Sequence, residues 1–165
     1  MKTIETQRFT LRAFTLEDWP DVHELAVDWN QAPGPAFDKW PATEAENKGF
    51  TGYLAKEDKY FAVTLREANK VIGLLALNGF DANGQLDLGH VILSRYQDND
   101  HDREVLGAMV DHIFGNEAVF SIVTRNAPEH AAQLTPLKAL GFKVVNAEEP
   151  GELVMTREEW EQGRE

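Results

Sequence analysis

The chain has 165 residues and no cysteine, which excludes disulfide frameworks, thiolate metal centres and cysteine nucleophiles together. Its 42% hydrophobic content is enough to bury a core, so global disorder is excluded and a single domain over residues 1–165 is expected. A formal net charge of −12 repels nucleic acid and anionic lipid at long range, so neither is expected as a partner. The opening residues Met1 to Arg8 hold no apolar signal region, and no apolar run approaches the roughly 20 residues of a membrane span. A cytoplasmic protein is expected.

Alternation of polar and apolar residues from Arg8 to Phe14 predicts a first strand. Thr15, followed by Glu17 and Asp18, reads as a helix start, and Leu16, Trp19, Val22, Leu25 and Ala26 recur at helical spacing to about Trp29. Pro33, Gly34 and Pro35 make Asn30 to Trp40 a loop, after which Thr43 caps a second helix carrying Phe50, Tyr53 and Leu54. The period then changes to two. Strands are predicted at Tyr60–Leu65, Val71–Leu77 and Gln85–Leu93, the last two joined by the hairpin signal Asp81-Ala-Asn-Gly84. Asp98–Asp102 is a polar loop, and Val105, Met109, Val110 and Ile113 mark a helix ending near Gly115. A strand at Val119–Thr124, a helix at Pro128–Leu140 closed by Gly141, and strands at Phe142–Val145 and Leu153–Met155 follow. Thr156 with Glu159 is a capping box for a terminal helix.

This order predicts an α+β, mixed α/β architecture: a central, mostly antiparallel sheet flanked by helices. The strand–loop–helix–strand unit from Gln85 to Thr124 makes one strand pair parallel, and ligands in such sheets bind beyond the carboxyl ends of the strands. That directs attention to Leu93 and the loop after it.

The ordered set of local sequences resembles the GNAT superfamily of N-acyltransferases, in its ribosomal-protein acetyltransferase-like branch of RimJ/RimL type. The resemblance is carried by Glu5-Thr-Gln-Arg-Phe-Thr-Leu-Arg12 with Leu16-Glu-Asp18, Lys70-Val-Ile-Gly-Leu-Leu75, Leu88-Gly-His90, Leu137, Leu140-Gly-Phe142 and Thr156-Arg-Glu-Glu-Trp160. It implies a splayed parallel strand pair, acetyl-CoA as cosubstrate, and acetyl transfer to a primary amine by direct attack. It also implies a donor loop of pattern Gln/Arg-x-x-Gly-x-Gly/Ala. Glycines in that loop let the backbone approach the diphosphate of CoA at a helix N-terminus, where the helix dipole favours an anion.

The corresponding residues are Gln97, Asp98, Asn99, Asp100, His101 and Asp102, with Asp100 and Asp102 where the two small residues belong. His130 and Gln133 stand where the family carries an Asn and a Ser that help hold CoA, and Leu137 where many relatives keep a tyrosine acid. A helix N-terminus stabilises an anion by about 0.3–2 kcal/mol. One carboxylate about 4 Å from a phosphate costs roughly 1 kcal/mol in water and roughly 4 kcal/mol at an effective dielectric of 20. Two or three aspartates facing the diphosphate therefore cancel the helix contribution and weaken CoA binding.

The resemblance sets the amide arm of the donor along the main chain of Ile92 and Leu93. Asp87 and His90 are the candidate bases for the amine proton. Alternation puts them on opposite faces, so they are alternatives, and each has a plain structural reading as a hairpin-end polar residue or a half-buried histidine. Trp29, Phe37, Asp38 and Trp40 form a candidate entry for a cationic amine such as a peptide N-terminus, polyamine or amino sugar, with ordinary loop packing as the plain alternative.

Two further readings are compatible with the acidic loop. One is a family member that binds a ligand or partner without acyl transfer, a homodimer included. The other is a Mg²⁺ or Ca²⁺ bridge from Asp98, Asp100 and Asp102 to phosphate. Arg103 and Met109 break the calcium-loop pattern where Gly and Glu are required, so no resident metal is expected. Capping of the following helix by at least one of these aspartates is the simplest expectation.

Overall fold

The computed structural model describes residues 3–164. In chain order the elements are β1 (Ile4–Glu5), β2 (Phe9–Arg12), α1 (Trp19–Gln31), α2 (Glu44–Lys56), β3 (Tyr60–Leu65), β4 (Val71–Phe80), β5 (Gln85–Ile92) and α3 (His101–Phe114). They continue as β6 (Ser121–Arg125), α4 (Ala131–Leu140), β7 (Lys143–Val144), β8 (Glu152–Thr156) and α5 (Arg157–Gln162). The strands form one sheet in the order β1-β2-β3-β4-β5-β6-β8-β7. Its mixed character is as expected: β5 and β6 run parallel, whereas β2–β3, β3–β4 and β6–β8 are antiparallel.

The chain divides into two compact units, one holding the chain up to Ala76 with His90–Tyr96, the other Leu77–Gly89 with the chain from Gln97 onward. In the first unit Phe9 and Leu11 are fully buried, while Thr10 and Arg12 on the opposite face of β2 stay partly exposed. Val22, Leu25, Ala26 and Trp29 give α1 a buried stripe at helical spacing. Arg12 locks the strand to the start of this helix: its Nη1 and Nη2 each donate to Asp18 at 2.9 Å, and the Thr15 N–H donates to Asp18 Oδ2 at 2.8 Å. Burial alone would push the Asp18 carboxyl up, but the guanidinium and the Thr15 N–H outweigh it and hold it below its ordinary range.

In the second unit Val105, Leu106, Met109, Val110, Ile113 and Phe114 bury one stripe of α3. Arg157, at the start of α5, donates from Nη2 to the carbonyls of Phe114 and Asn116, both at 2.8 Å, and from Nε to Val119 at 3.0 Å. It thereby satisfies acceptors that the end of α3 leaves open. Gly141 closes α4 in the left-handed region at φ 112°, a position that glycine alone occupies without strain.

Several boundaries differ from expectation for local reasons. A short strand β1 precedes the first predicted one, pairing Ile4 with Leu11. β4 continues past Leu77 to Phe80, because the turn closes only where the Asp81 N–H donates to the Gln85 carbonyl at 3.0 Å, with Gly84 at φ 76°. α4 begins at Ala131 rather than Pro128, since the His130 N–H is used in a turn to the Ala127 carbonyl at 2.9 Å. α3 begins at His101, inside the stretch expected as loop.

Removing one member of a partly buried ion pair leaves the other uncompensated. Asp18→Ala is expected to lower stability by about 2–4 kcal/mol, measured by urea unfolding monitored by circular dichroism.

Candidate functional site

The turn that opens α3 is built on its own acidic side chains. Asn99 sits at φ 61°, a left-handed conformation that Asn tolerates better than most residues. Asp98 Oδ1 accepts from the N–H groups of Asp100 at 3.0 Å and His101 at 2.8 Å, and Asp98 Oδ2 lies 2.5 Å from His101 Nδ1. Asp100 stands at the N-cap position, but Asp98 performs the capping. Asp102, in the first turn, is only 2% exposed, and its Oδ1 accepts from the Arg103 N–H at 3.0 Å. The main chain of Asn99 and of Asp102 itself also bonds to this carboxylate. The Glu104 N–H is taken by the Asp100 carbonyl at 3.1 Å.

The two carboxyls are tuned in opposite directions. Desolvation works against ionising Asp98, yet the N–H groups of His101 and Asp100 and the His101 ring outweigh it and hold the carboxyl at about 2. Desolvation dominates at Asp102 and pushes its carboxyl up, aided by the nearby charge of Asp98. The expectation that an aspartate caps α3 therefore holds for Asp98.

His130 occupies the N-cap of α4 and Gln133 lies in its first turn; both are buried. Gln97 precedes the acidic turn and is partly exposed.

Asp87 lies where the parallel pair comes apart. The β5–β6 register runs through Gln85↔Ser121, Leu86↔Ile122 and Asp87↔Val123 and stops there, although β6 continues to Arg125. Arg125 follows Val123 by two residues and so shares its face. Its Nη1 donates to Asp87 Oδ2 at 2.5 Å, and its Nε to Glu152 Oε2 at 3.3 Å. Asp87 and Arg125 border an open cleft of about 340 Å³, with Phe80 and Gln85 on its wall. Sequence reasoning missed Arg125 and Glu152, because only the registers β5–β6 and β6–β8 set them beside Asp87.

The remaining candidates belong to the first unit. His90, Ile92 and Leu93 are buried, and the Leu93 N–H donates to the Ile72 carbonyl at 2.9 Å. Trp29 is buried and donates its indole N–H to the Asp38 carbonyl at 2.6 Å. Trp40 exchanges hydrogen bonds with Asn30 and meets Phe50 edge-to-face at 5.0 Å. These contacts pin the aromatic loop to α1 and α2. Phe37, by contrast, is 89% exposed.

The sequence comparison identifies the family, and the fold comparison agrees with its architecture. The model of the acetyltransferase (GNAT) domain matches residues 8–143. The chain belongs to the GNAT acetyltransferase family. It is 24% identical over 144 residues to the protein named uncharacterized N-acetyltransferase YnaD of Bacillus subtilis (strain 168), covering 85% of this chain and 82% of that one. Its fold is similar to that of a GNAT-family acetyltransferase from Bacillus anthracis, with a TM-score of 0.79 at 18% identity over 95% of this chain and 99% of the other. It is also similar to Mycobacterium smegmatis RimJ in complex with CoA-disulfide, with a TM-score of 0.74 at 15% identity over 96% and 88% of the two chains.

The family implies acetyl-CoA, and the turn before α3 does not suit its diphosphate. The N–H groups of Asp100, His101 and Arg103 already serve carboxylates, one of them on a buried residue. A phosphate there would meet two negative charges in place of open donors.

Two substitutions test this description of the turn. Asp98→Ala removes the cap and is expected to cost stability in the lower half of the about 0.5–2 kcal/mol capping range, since the carboxylate is partly solvated. Asp98 ionises more easily folded than unfolded, so that stabilisation is complete above about pH 4. It fades as the pH falls through about 2, where wild type and variant converge. Asp102→Asn removes the buried charge and keeps the oxygen that accepts from the Arg103 N–H, so the loss of stability that the raised Asp102 carboxyl imposes as the pH rises through the acid range is expected to be absent from the variant. Calorimetric scans across pH measure both.

Proposed function

We propose that this chain is a one-domain, cytoplasmic N-acyltransferase of RimJ/RimL type, moving an acetyl group from acetyl-CoA to a primary amine by direct attack. The donor supplies an acyl carbon activated as a thioester. The observation that carries the reading is the end of the β5–β6 ladder at Asp87↔Val123, with the Asp87 carboxylate beside an open cleft. Asp87 is favoured over His90 as the proton acceptor, because His90 is buried whereas Asp87 borders the cleft.

In this reading the amine enters as an ammonium, draws Asp87 away from Arg125 and gives one proton to the carboxylate. The freed nitrogen would form the new bond to the acyl carbon as the carbon–sulfur bond breaks, and its surplus proton would leave with the thiolate. Arg125 remains paired with Glu152, so the guanidinium keeps a partner while Asp87 is in use. The main chain of Ile92 would carry the amide arm of the donor, because the Leu93 N–H and carbonyl are already taken by Ile72 and Tyr96. Within the first unit, Phe37 and Asp38 are the proposed entry residues for an amine, a peptide N-terminus or small-molecule amine, with Trp29 and Trp40 supporting that loop. Among the described residues no helix is long and apolar enough to cross a membrane, which suits a protein acting on dissolved or peptidic amines.

The filled start of α3 favours a second reading, in which the chain binds a ligand or partner, a second copy included, without transferring an acyl group.

Acetylation of a panel of peptide N-termini, polyamines and amino sugars, followed by mass spectrometry at millimolar acetyl-CoA, separates the two. Product is expected for at least one amine. Asp87→Asn is expected to lower its rate by about 10²–10⁴-fold, and His90→Gln to leave it near wild type. Product from no amine would favour the second reading, and an undiminished rate in Asp87→Asn would remove Asp87 from the chemistry.

A further inference from the structure

We infer that Asp98 and Asp102 determine donor specificity by standing in for the donor's diphosphate, so that the chain accepts acyl thioesters without regard to a nucleotide diphosphate. The inference rests on the acyl-transfer reading above and narrows its donor class. A helix start offers a small set of open N–H donors, and they are the reason an anion binds there. In this chain Asp98 takes those of Asp100 and His101, and Asp102 takes that of Arg103.

The replacement is built in rather than incidental. Asp98 is held by two main-chain hydrogen bonds and by the His101 ring at 2.5 Å, and the backbone reverses through Asn99 at φ 61° to allow it. Asp102 is 2% exposed, so it cannot swing into water to make room without uncovering the first turn of α3. A diphosphate would have to expel one anion tied by three contacts and approach another fixed in a poorly solvated place. An uncharged pantetheine arm meets neither obstacle, because it brings no charge to set against the two carboxylates. The donor class that suits these residues is an acyl thioester on a pantetheine-like thiol, with or without the nucleotide.

Calorimetric titration with acetyl-CoA and with S-acetylpantetheine tests this on three folded proteins: wild type, Asp98→Asn/Asp102→Asn and Asp98→Gly/Asp102→Ala. The first double variant keeps one acceptor oxygen at each position, enough for the main-chain hydrogen bonds of Asp98 Oδ1 and for that of Arg103, and thermal melts verify that both variants are folded. Wild type is expected to bind the two thioesters with dissociation constants within about threefold of each other. Acetyl-CoA affinity is expected to rise in the charge-neutral variant and to rise by about tenfold or more in the emptied one, the scale of one carboxylate about 4 Å from a phosphate. Affinity for S-acetylpantetheine should stay level throughout. A wild type that prefers acetyl-CoA by about tenfold or more, with the preference unchanged in both variants, would overturn the inference while leaving acyl transfer standing. Binding of neither thioester by any of the three proteins would overturn the inference together with the acyl-transfer reading.

Discussion

An α-helix begins with donors that its own hydrogen-bond ladder cannot use, and what fills them decides what the helix start can do. In most anion-binding turns small residues leave those N–H groups open to a ligand. At the start of α3 the sequence Asp98-Asn-Asp-His-Asp102 fills them from within. Asp98 reaches back to two N–H groups and to His101, and Asp102 is buried against the first turn. The functional account depends on this substitution of carboxylate for phosphate. At the start of α3 the carboxylates form a structural cap, and under the proposed reading donor recognition falls to uncharged contacts.

The other half of the account is the parting of β5 and β6. Their parallel register places Asp87 and Arg125 on one face, and the antiparallel register of β6 with β8 adds Glu152. An arginine between two carboxylates is a device that lets one of them leave. A carboxylate so placed can meet an incoming ammonium and exchange one cation for another, with little net charge uncovered. Such an exchange suits an acidic chain, whose charge of −12 attracts cationic amines before any specific contact forms.

Much of the fold was legible because local signals agreed with one another. The hairpin at Asp81–Gly84, the cap at Thr156 and the left-handed Gly141 each fell where turn chemistry put them. Boundaries slipped where a tertiary or turn hydrogen bond overrode periodicity, as at Phe80 and His130. The site was legible in part. The family resemblance singled out the acidic turn and Asp87 was a candidate base, but the sequence could not say which aspartate caps α3: Asp100 has the N-cap position, while the reversal at Asn99 hands the task to Asp98. Arg125 carried no sequence signal at all, since its pairing with Asp87 depends on the register of two strands 38 residues apart. The aromatic loop was read as an amine entry with ordinary packing as the alternative, and Trp29 and Trp40 place their polar atoms and rings on anchoring it.

Carbon-detected NMR titration of the side-chain carboxyls of Asp98 and Asp102, with the amide shifts of Asp100 and His101 followed in the same samples, tests the filled helix start most directly. The account predicts that Asp98 titrates at about 2, that Asp102 titrates above the ordinary aspartate value, and that the two amides move with Asp98. Ordinary titration of both carboxyls, with amides that ignore Asp98, would mean that the donors of α3 are open and that a diphosphate can seat there after all.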